Sequence, residues 1–142
     1  MAENIRLEVV TPEKNVVSEE ARIVAAPGTL GEFGVLRGHT PFMTTLKLGS
    51  VRYTDASGAE RCVFISGGFA EVLPDKVTIL AESAERRCDI DIARAEAALD
   101  RARRRLDQDR SKEDVDFTRA RAALERALQR VKLSESRKRA QQ

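Results

Sequence analysis

The first half of the chain alternates between apolar and polar residues with a period of two. Ile5, Leu7 and Val9 would share one face of a strand. Arg6 and Glu8, which lie between them, would take the opposite face. Short runs of the same kind, separated by turn signals, continue to about residue 81. This spacing predicts about eight to ten short strands in an all-β sandwich or barrel.

Glycine, proline and aspartate mark the turns between these strands. The segment 55–58, Asp-Ala-Ser-Gly, suits a hairpin turn, and the segment 74–76, Pro-Asp-Lys, suits another. The Gly67-Gly68 pair differs from a phosphate loop, because no Gly-Lys-Ser/Thr sequence follows it and no helix opens there. We predict a bulge or a strand crossing at this pair.

After about Glu82 the period changes from two to that of a helix. Two narrow apolar stripes step by three and four residues, which predicts two amphipathic helices in an antiparallel hairpin. The first stripe is Ala95, Leu99, Ala102 and Leu106, and the second is Phe117, Ala120, Leu124, Ala127 and Val131, with Leu128 beside it. Each alanine buries far less apolar surface than a leucine, and burial contributes ~25 cal/mol per Å². We therefore expect the two helices of the hairpin to be held together only weakly.

The change of period divides the chain into two domains of opposite charge. We predict an α+β fold with a β-sandwich over residues 1–86 and a helical hairpin over residues 87–142, ending in a frayed basic tail from Ser134. Residues 1–89 carry a net charge of −3, whereas residues 90–142 carry +5. A basic half of this kind is typical of a surface that meets an acidic protein or a polyanion.

Composition and residue spacing argue against several classes of protein. No window has the roughly 18 to 20 apolar residues that span a bilayer, and the start of the chain lacks a secretory signal, so we expect neither membrane insertion nor export. Cys62 and Cys88 have no metal-ligand or disulfide spacing, which favours a reducing cytosol. His39 is the single histidine, and no partner for proton transfer is near it in sequence. We therefore expect no catalytic centre and no metal site.

Four segments in order resemble the ATP synthase epsilon family. Glycine loops and alanine-rich helices are common singly, but these segments together extend over nearly the whole chain. Two positions depart from the family pattern, since Arg37 stands where proline is frequent and Phe33 replaces the usual leucine. The matching segments are residues 31–42 (GEFGVLRGHTPF), 65–72 (ISGGFAEV), 74–86 (PDKVTILA to AER) and 90–95 (IDIARA), and residues 114–117 are similar to the start of the family's second helix.

The resemblance implies a non-catalytic subunit in the central stalk of a proton-translocating F-type ATP synthase. In the family, the β-sandwich docks on the gamma subunit and on the c-ring, and the hairpin can lie against an acidic segment of the beta subunit. The implied functions are coupling of the rotor to the catalytic head and inhibition of ATP hydrolysis by the hairpin. We expect a peripheral protein on the cytoplasmic side of the cell inner membrane, with no required cofactor and with ATP as a regulatory ligand.

The resemblance implies that two residues contact the rotor. Glu32 corresponds to the edge of the sandwich that faces the c-ring in the family, and His39 would face gamma. Each residue also has a structural interpretation. Glu32 would then be an ordinary solvated turn carboxylate, and His39 would be a turn residue in a glycine-rich loop.

In a subset of bacterial members, six residues bind ATP when the hairpin is folded down. Arg126 and Arg130 lie four residues apart on one helix face, where both cations can meet a phosphate chain. The alternative is structural, because Asp91 near a helix start complements the helix dipole and exposed arginines solvate a helix. The six matching positions are Glu85, Ile90, Asp91, Arg94, Arg126 and Arg130.

The remaining arginines of the hairpin are predicted to meet the beta subunit when the hairpin extends along gamma. A nucleic-acid module is a rival explanation of the same charge, although only Phe117 supplies an aromatic ring there. A sandwich that binds carbohydrate or another small ligand is a second rival, although such sites usually have aromatic platforms. The arginines predicted to contact the beta subunit are Arg103, Arg104, Arg119 and Arg121.

Overall fold

The computed structural model describes residues 4–108 and 114–140 of the chain. It divides into two compact units, Met1–Arg87 and Cys88–Gln142. The first unit is built of strands and the second of helices. This order follows the change of hydrophobic period, from two in the first unit to that of a helix in the second.

Seven strands form the described part of the first unit, fewer and longer than the eight to ten short strands that the sequence predicted. Several predicted pieces are parts of one strand, because the residues between them continue to pair with the neighbouring strand. Glycines such as Gly49 in β4 and Gly68 in β5 let these long strands bend without interrupting the ladder. The strands are β1 (Ile5–Val10), β2 (Asn15–Gly28), β3 (Gly31–Val35), β4 (Phe42–Asp55), β5 (Glu60–Val72), β6 (Lys76–Ala81) and β7 (Ala84–Arg86).

The sheet closes on itself, so that the unit is a flattened barrel. The strands pair in the order β1-β6-β5-β4-β2, and β1 also pairs with β2. The β1–β6 pair is parallel, whereas β1–β2, β4–β5 and β5–β6 are antiparallel. β3 extends the sheet beside β2, and β7 pairs with β5 beyond the end of β6.

The alternation of the first strand is confirmed by the burial of its side chains. Ile5, Leu7 and Val9 are fully buried in the core, while Arg6 and Glu8 face the other way and are partly exposed. Valines of β2, β4 and β5 fill the same core. Closing the sheet thus buries one face of every long strand, which is how a chain with few aromatics forms a core.

The sequence predicts a hairpin turn at residues 55–58 and a bulge or strand crossing at Gly67-Gly68, and the structure describes both segments. Asp55 forms the predicted hairpin turn, since its Oδ1 accepts hydrogen bonds from the Ser57 hydroxyl (2.5 Å) and the Ala59 amide (3.0 Å). These bonds, together with the one from Arg61, hold the pKa of the Asp55 carboxyl well below its usual range. Gly67 and Gly68 lie within β5, both with positive φ, and the β4–β5 pairing keeps the same register on either side of them. The pair is therefore a bend in a continuous strand.

The short last strand, β7, is fastened to β2 through the side chain of Arg86. Arg86 of β7 pairs with Glu19 of β2 at 2.9 Å, and its Nε donates to the carbonyl oxygen of Val16. The hydroxyl of Tyr53 on β4 donates to the other oxygen of Glu19 at 3.0 Å. Burial and this neighbouring carboxylate raise the pKa of Tyr53 well above its ordinary value. The end of the first unit is therefore fixed to its barrel.

The second unit contains two helices that pack along each other. A short 3₁₀ turn (Arg87–Asp89) precedes α1 (Ile92–Gln108), and α2 spans Asp114–Ala140. Asp91 is the N-cap of α1, because its Oδ1 accepts from the Arg94 amide at 3.0 Å and its carbonyl accepts from Ala95 at 2.9 Å. The cap, in the position that the sequence suggested for a helix start, satisfies donors that would otherwise be left without partners.

The buried stripes of the helices consist mainly of small residues. In α1, Ala95, Leu99 and Ala102 are buried, as predicted, while Leu106 is only half-buried. In α2, Ala120 and Ala127 are buried with Leu133 and Ser134. Leu124 and Val131 of the predicted stripe are only half-buried, and Phe117 is 41% exposed. The burial therefore follows the alanines rather than the larger side chains of the predicted stripe.

The helix continues into the segment that was predicted to be a frayed tail from Ser134. α2 runs through Ala140, and residues 141 and 142 lie outside the described residues. The Ser134 hydroxyl donates to the Val131 carbonyl, and the Ser136 hydroxyl donates to the Leu133 carbonyl, each at 2.8 Å. Both serines thus bond within the helix, and Ser134 is buried.

Candidate functional site

A groove between the two helices is lined by arginines of both. Arg101 and Arg105 lie four residues apart on α1, and Arg126 and Arg130 lie four residues apart on α2, so each pair projects from one face of its helix. The groove has a volume of about 220 Å³. Its other lining residues are alanines of the two helices, namely Ala98, Ala102, Ala123 and Ala127.

The chemistry of this groove is that of an anion site. Each guanidinium presents several N–H donors in a planar fork and stays charged at every physiological pH. Among the described residues, those that line the groove include no Asp or Glu. Two pairs of cations therefore face a cleft without a lining carboxylate, which favours a phosphate or carboxylate ligand.

The structure brings together two of the six residues predicted to bind ATP. Arg126 and Arg130 line the groove, whereas Asp91 uses Oδ1 to cap α1 and the Arg94 amide is its donor. Ile90 is buried, so its side chain can contribute packing but no polar contact. The sixth residue, Glu85, lies on β7 of the first unit, in register with Phe64.

Arg101 and Arg105 were missed by the sequence analysis, although a signal for them was present. They repeat on α1 the four-residue spacing of Arg126 and Arg130. At three and four residues from Arg101 and from Arg126, the sequence holds only alanine, glutamine and arginine. The repeated four-residue spacing of arginines would have identified these positions, although Arg105 also has Asp109 four residues away in sequence.

The four arginines predicted to contact a beta subunit all lie on the helix surfaces. The structure shows each of their side chains exposed. Arg121 pairs with Glu125 at 3.3 Å, one helical turn away. Such exposed pairs contribute little to stability, so this arginine can exchange its partner at small cost. Those four residues are Arg103, Arg104, Arg119 and Arg121.

A strip of exposed apolar side chains crosses the outer face of the barrel. Phe69 on β5 is directly opposite Leu80 on β6, and the two are 55% and 54% exposed. Leu80 in turn pairs with Val10 on β1, which is only partly exposed. Met43 on β4, 70% exposed, lies diagonally from Phe69. We call these four residues the apolar strip. The sequence alone does not predict this strip, because an alternating pattern cannot tell which outward-facing apolar residues adjoin one another.

His39, a predicted rotor residue, lies in the loop between β3 and β4. Its Nδ1 is 2.8 Å from the Thr40 carbonyl oxygen, and its ring lies 5.3 Å from that of Phe42. The loop is tied down by hydrogen bonds from the Gly38 amide to the Pro74 carbonyl and from Arg37 to the Asn4 carbonyl. The histidine is therefore held by its neighbours in this loop, and its contact with a partner stays a prediction.

Glu32, the other predicted rotor residue, forms an ion pair with Arg52. It lies on β3, while Arg52 belongs to β4, and both side chains are more than half exposed. Leu30, just before β3, is fully exposed at the tip of the β2–β3 connection. The carboxylate is thus a paired surface group in this structure, and its role toward a rotor stays a prediction.

Three other features of the described residues concern metal binding, cysteine chemistry and membrane crossing. No group of three or more His, Cys, Asp and Glu residues in ranges 4–108 and 114–140 could hold a metal ion. Burial raises the pKa of the Cys62 thiol, which makes the thiolate less available. No helix in these ranges is both long enough and apolar enough to cross a membrane.

Comparison with known proteins gives the same family for both units. The beta-sandwich domain of the ATP synthase, Delta/Epsilon chain family matches residues 4–87, and its long alpha-helix domain matches residues 89–135. Relatives named ATP synthase epsilon chain include one from Desulforapulum autotrophicum, 67% identical over 108 residues, which are 76% of this chain and 80% of the relative. Another, from Desulfatibacillum aliphaticivorans, is 66% identical over 107 residues, 75% of this chain and 76% of the relative.

Two solved structures are similar in fold. One contains the OSCP, F1 and c-ring parts of the Euglena gracilis mitochondrial ATP synthase. A chain in it matches with a TM-score of 0.73 at 26% identity, over 87% of this chain and 76% of that chain. The other is the central stalk and c-ring of the Tetrahymena thermophila mitochondrial ATP synthase, with a TM-score of 0.58 at 11% identity, over 92% of this chain and 96% of that chain. The second shows a common fold alone.

Proposed function

The chain belongs to the ATP synthase epsilon chain family, and we propose that it couples the rotor to the catalytic head and restrains ATP hydrolysis. The epsilon chain is a subunit of the complex and is not its catalytic chain. The observation that carries the proposal is that two family domains match in sequence order and meet where the chain divides into its two units. In this proposal the β unit is the rotor-docking part and the helical unit is the regulatory part.

The apolar strip is the surface that we assign to a gamma subunit. Monomeric proteins rarely leave several large apolar side chains adjoining on one face, and such faces often mark contacts with other proteins. The strip lies on four paired strands, so a partner would meet a rigid surface and little ordering entropy would oppose binding. His39 and the loop that holds it would extend this contact, and Glu32 with Leu30 would meet the c-ring.

Replacing Phe69 with aspartate is expected to weaken binding to the gamma subunit by at least about 2 kcal/mol, because a central apolar anchor becomes a charge that binding must desolvate. The measurement is the dissociation constant of the isolated chain for purified gamma. Ile23→Asp is the matched control, since Ile23 is also an exposed apolar residue of a strand but lies outside the strip. Equal affinity of the two variants would exclude the strip as the docking surface.

The helical unit is proposed to oppose ATP hydrolysis by contact with the beta subunit. Arg103, Arg104, Arg119 and Arg121 are exposed and so available to an acidic partner surface. The interface between the helices buries mostly alanines. At ~25 cal/mol per Å² of apolar surface, burying an alanine stabilises the interface far less than burying a leucine. A small packing energy of this kind suits a helical pair that has two positions of similar free energy.

ATP is proposed as the ligand that favours the permissive position. The arginine groove supplies cations for the phosphates. A carboxylate of the predicted set, such as Asp91, would accept from adenine or ribose donors. Bound ATP would change the populations only by the ratio of its affinities for the two positions. The hairpin would then restrain hydrolysis most when ATP is scarce.

Arg126→Ala is expected to weaken ATP binding by about 1.5 to 3 kcal/mol, since one charge-assisted contact to phosphate is lost. Calorimetric titration of the full chain with ATP, with and without Mg²⁺, measures the effect. Arg119→Ala, on the same helix but outside the groove, is the control for loss of charge alone. If the unmodified chain releases no heat of binding with ATP, the nucleotide proposal fails.

We place the protein, as a proposal, at the cytoplasmic side of the cell inner membrane. It would be held there through the gamma subunit and the c-ring, with no lipid contact of its own and no nucleic-acid partner. Subcellular fractionation tests this placement. The chain should remain with washed membranes when the complex is intact and leave them together with the catalytic head when the head is stripped off.

A further inference from the structure

We propose that Met43 is an oxidation site that regulates docking of the β unit, and that converting its thioether to a sulfoxide prevents binding to a gamma subunit while the barrel stays folded. The inference rests on the docking function proposed for the apolar strip and deepens it. It adds a chemical modification, by peroxide or a similar oxygen-transfer oxidant, that acts on the same surface.

Met43 has the exposure that oxidation of a methionine requires. An oxidant must reach the sulfur atom itself, so an exposed thioether reacts more readily than a buried one. The Met43 side chain is 70% exposed, compared with 55% for Phe69 and 54% for Leu80. The other members of the strip contain no sulfur. The sequence has one further methionine, Met1, which lies outside the described residues.

The reaction needs only the peroxide and the thioether. A lone pair of the sulfur attacks one oxygen of hydrogen peroxide, the O–O bond breaks and an S–O bond forms. The proton on the transferred oxygen moves to the other oxygen, which leaves as water. The sulfur loses two electrons to the peroxide, and a flexible apolar side chain becomes a polar one.

The surroundings of Met43 let the free chain tolerate this change. Met43 lies directly opposite Glu71 on β5, and Glu71 in turn lies opposite Thr78 on β6. Residues opposite one another on paired strands project from the same face, so Met43 borders a polar row as well as the apolar strip. A sulfoxide oxygen at this border stays in water and disturbs no buried contact. We therefore expect the stability of the barrel to be unchanged.

The docked chain cannot tolerate it in the same way. A partner that covers the apolar strip removes water from Met43 together with Phe69 and Leu80. Burying a polar group without a hydrogen-bond partner is costly, and a partner surface that fits an apolar strip has no reason to supply a donor there. Oxidation thus penalises the bound state alone, which is what a switch of docking requires.

The two cysteines can be separated from Met43 by their chemistry. Cys62 is only partly exposed, and burial raises the pKa of its thiol, so it has little reactive thiolate. Cys88 is exposed and belongs to the helical unit. A thiol reductant reverses the disulfide and sulfenic acid that cysteines form, but it does not reduce methionine sulfoxide. Treatment with dithiothreitol after the oxidant therefore leaves the sulfoxide in place.

The test is to treat the full chain with hydrogen peroxide and then dithiothreitol, and to measure its dissociation constant for purified gamma. Peptide mass spectrometry shows how much of Met43 is oxidised, and urea unfolding measures stability. We expect binding to weaken about tenfold or more at unchanged stability. Methionine sulfoxide reductases of both stereospecificities should restore binding.

Met43→Leu is the matched control, because leucine keeps an apolar side chain of similar volume and has no sulfur to oxidise. It should bind gamma as the untreated chain does, both before and after peroxide. Met43→Gln, which introduces a neutral polar group, should weaken binding without any oxidant. In a preformed complex with gamma, Met43 should be oxidised more slowly than in the free chain.

The inference fails if the chain with oxidised Met43 binds gamma as tightly as the untreated chain. If Phe69→Asp still weakens binding in that case, the docking surface stands and only the oxidation site is lost. If Phe69→Asp also binds normally, both proposals fail. An equal loss of affinity in peroxide-treated Met43→Leu would assign the effect to another residue and overturn the inference. Equal oxidation rates of Met43 in the free chain and in the complex would likewise exclude it from the contact.

Discussion

Gly68→Ala is expected to lower the free energy of unfolding by at least about 3 kcal/mol, a large share of the stability of a small domain. A Cβ atom at this position would lie 2.0 Å from the Leu80 carbonyl oxygen and 2.9 Å from the Ala81 Cα. Both are backbone atoms of β6, so no side chain can move aside. The φ angle of +138° is in addition one that only glycine adopts easily. Urea unfolding followed by circular dichroism measures the change.

Gly34→Ala is the matched control for this substitution. Nothing lies within 4 Å of a Cβ built at Gly34, and its φ is outside the positive region. Its stability is expected to change by less than about 1 kcal/mol. If the two variants unfold at the same denaturant concentration, the close approach of the β6 backbone to Gly68 is wrong. A displaced β6 would also move Leu80 away from Phe69, so Gly68→Ala should weaken gamma binding as well.

Ending the chain at Arg87 is expected to raise ATP hydrolysis by the assembled complex at least about fivefold. A factor of about five is the lower end of the effect that one site of a protein typically has on another. The shortened chain keeps all seven described strands and the clamp of Arg86 on Glu19, so its barrel should fold and dock. The helices that we propose to contact the beta subunit are absent from it. Steady-state hydrolysis by complexes reconstituted with either form of the chain gives the comparison.

A full-length variant distinguishes loss of inhibition from loss of assembly. Glutamine in place of the four exposed arginines leaves the helices present but removes the charges proposed to meet the beta subunit. It should reproduce most of the increase in hydrolysis, while the amount of chain in the complex stays the same. Hydrolysis that does not change on truncation would remove the inhibitory role. The four positions are Arg103, Arg104, Arg119 and Arg121.

Much of the fold could be predicted because it depends on local pattern. The alternation in β1 identified which side chains are buried, and the change of period near Glu82 lies close to the division between the units at Arg87. The turn at Asp55 followed from the side-chain bonds that aspartate can make to nearby amides. Each of these features is decided by residues within a few positions of one another.

The strand count was wrong for a physical reason that the sequence does not display. A residue with a weak strand preference still pairs when its neighbours on both sides already pair, because the ladder supplies its hydrogen bonds. The sequence of Gly67 and Gly68 therefore predicts an interruption between two strands, but both residues lie inside β5. In α2, packing against α1 likewise selected Ala120 and Ala127 for burial over Phe117, since small side chains allow the helices to approach.

The candidate site was predicted in part. Arg126 and Arg130 were identified through the family resemblance, and the structure places both in one groove. Asp91 was interpreted either as a ligand or as a helix cap, and the cap is what its Oδ1 forms here. Arg101 and Arg105 could have been found by noticing that they repeat on α1 the four-residue spacing of Arg126 and Arg130.

By itself, the sequence determined the order of a strand unit and a helical unit, the family, the polarity of each surface and the absence of histidine pairs. These properties depend on residue type and local period, and both can be determined directly from the amino-acid sequence. Tertiary structure alone decided which distant residues adjoin. Closure of the barrel aligned Phe69 with Leu80, and packing of the helices gathered four arginines into one groove. Register and helix contact are set by the energy of the whole core, so no local pattern can specify them.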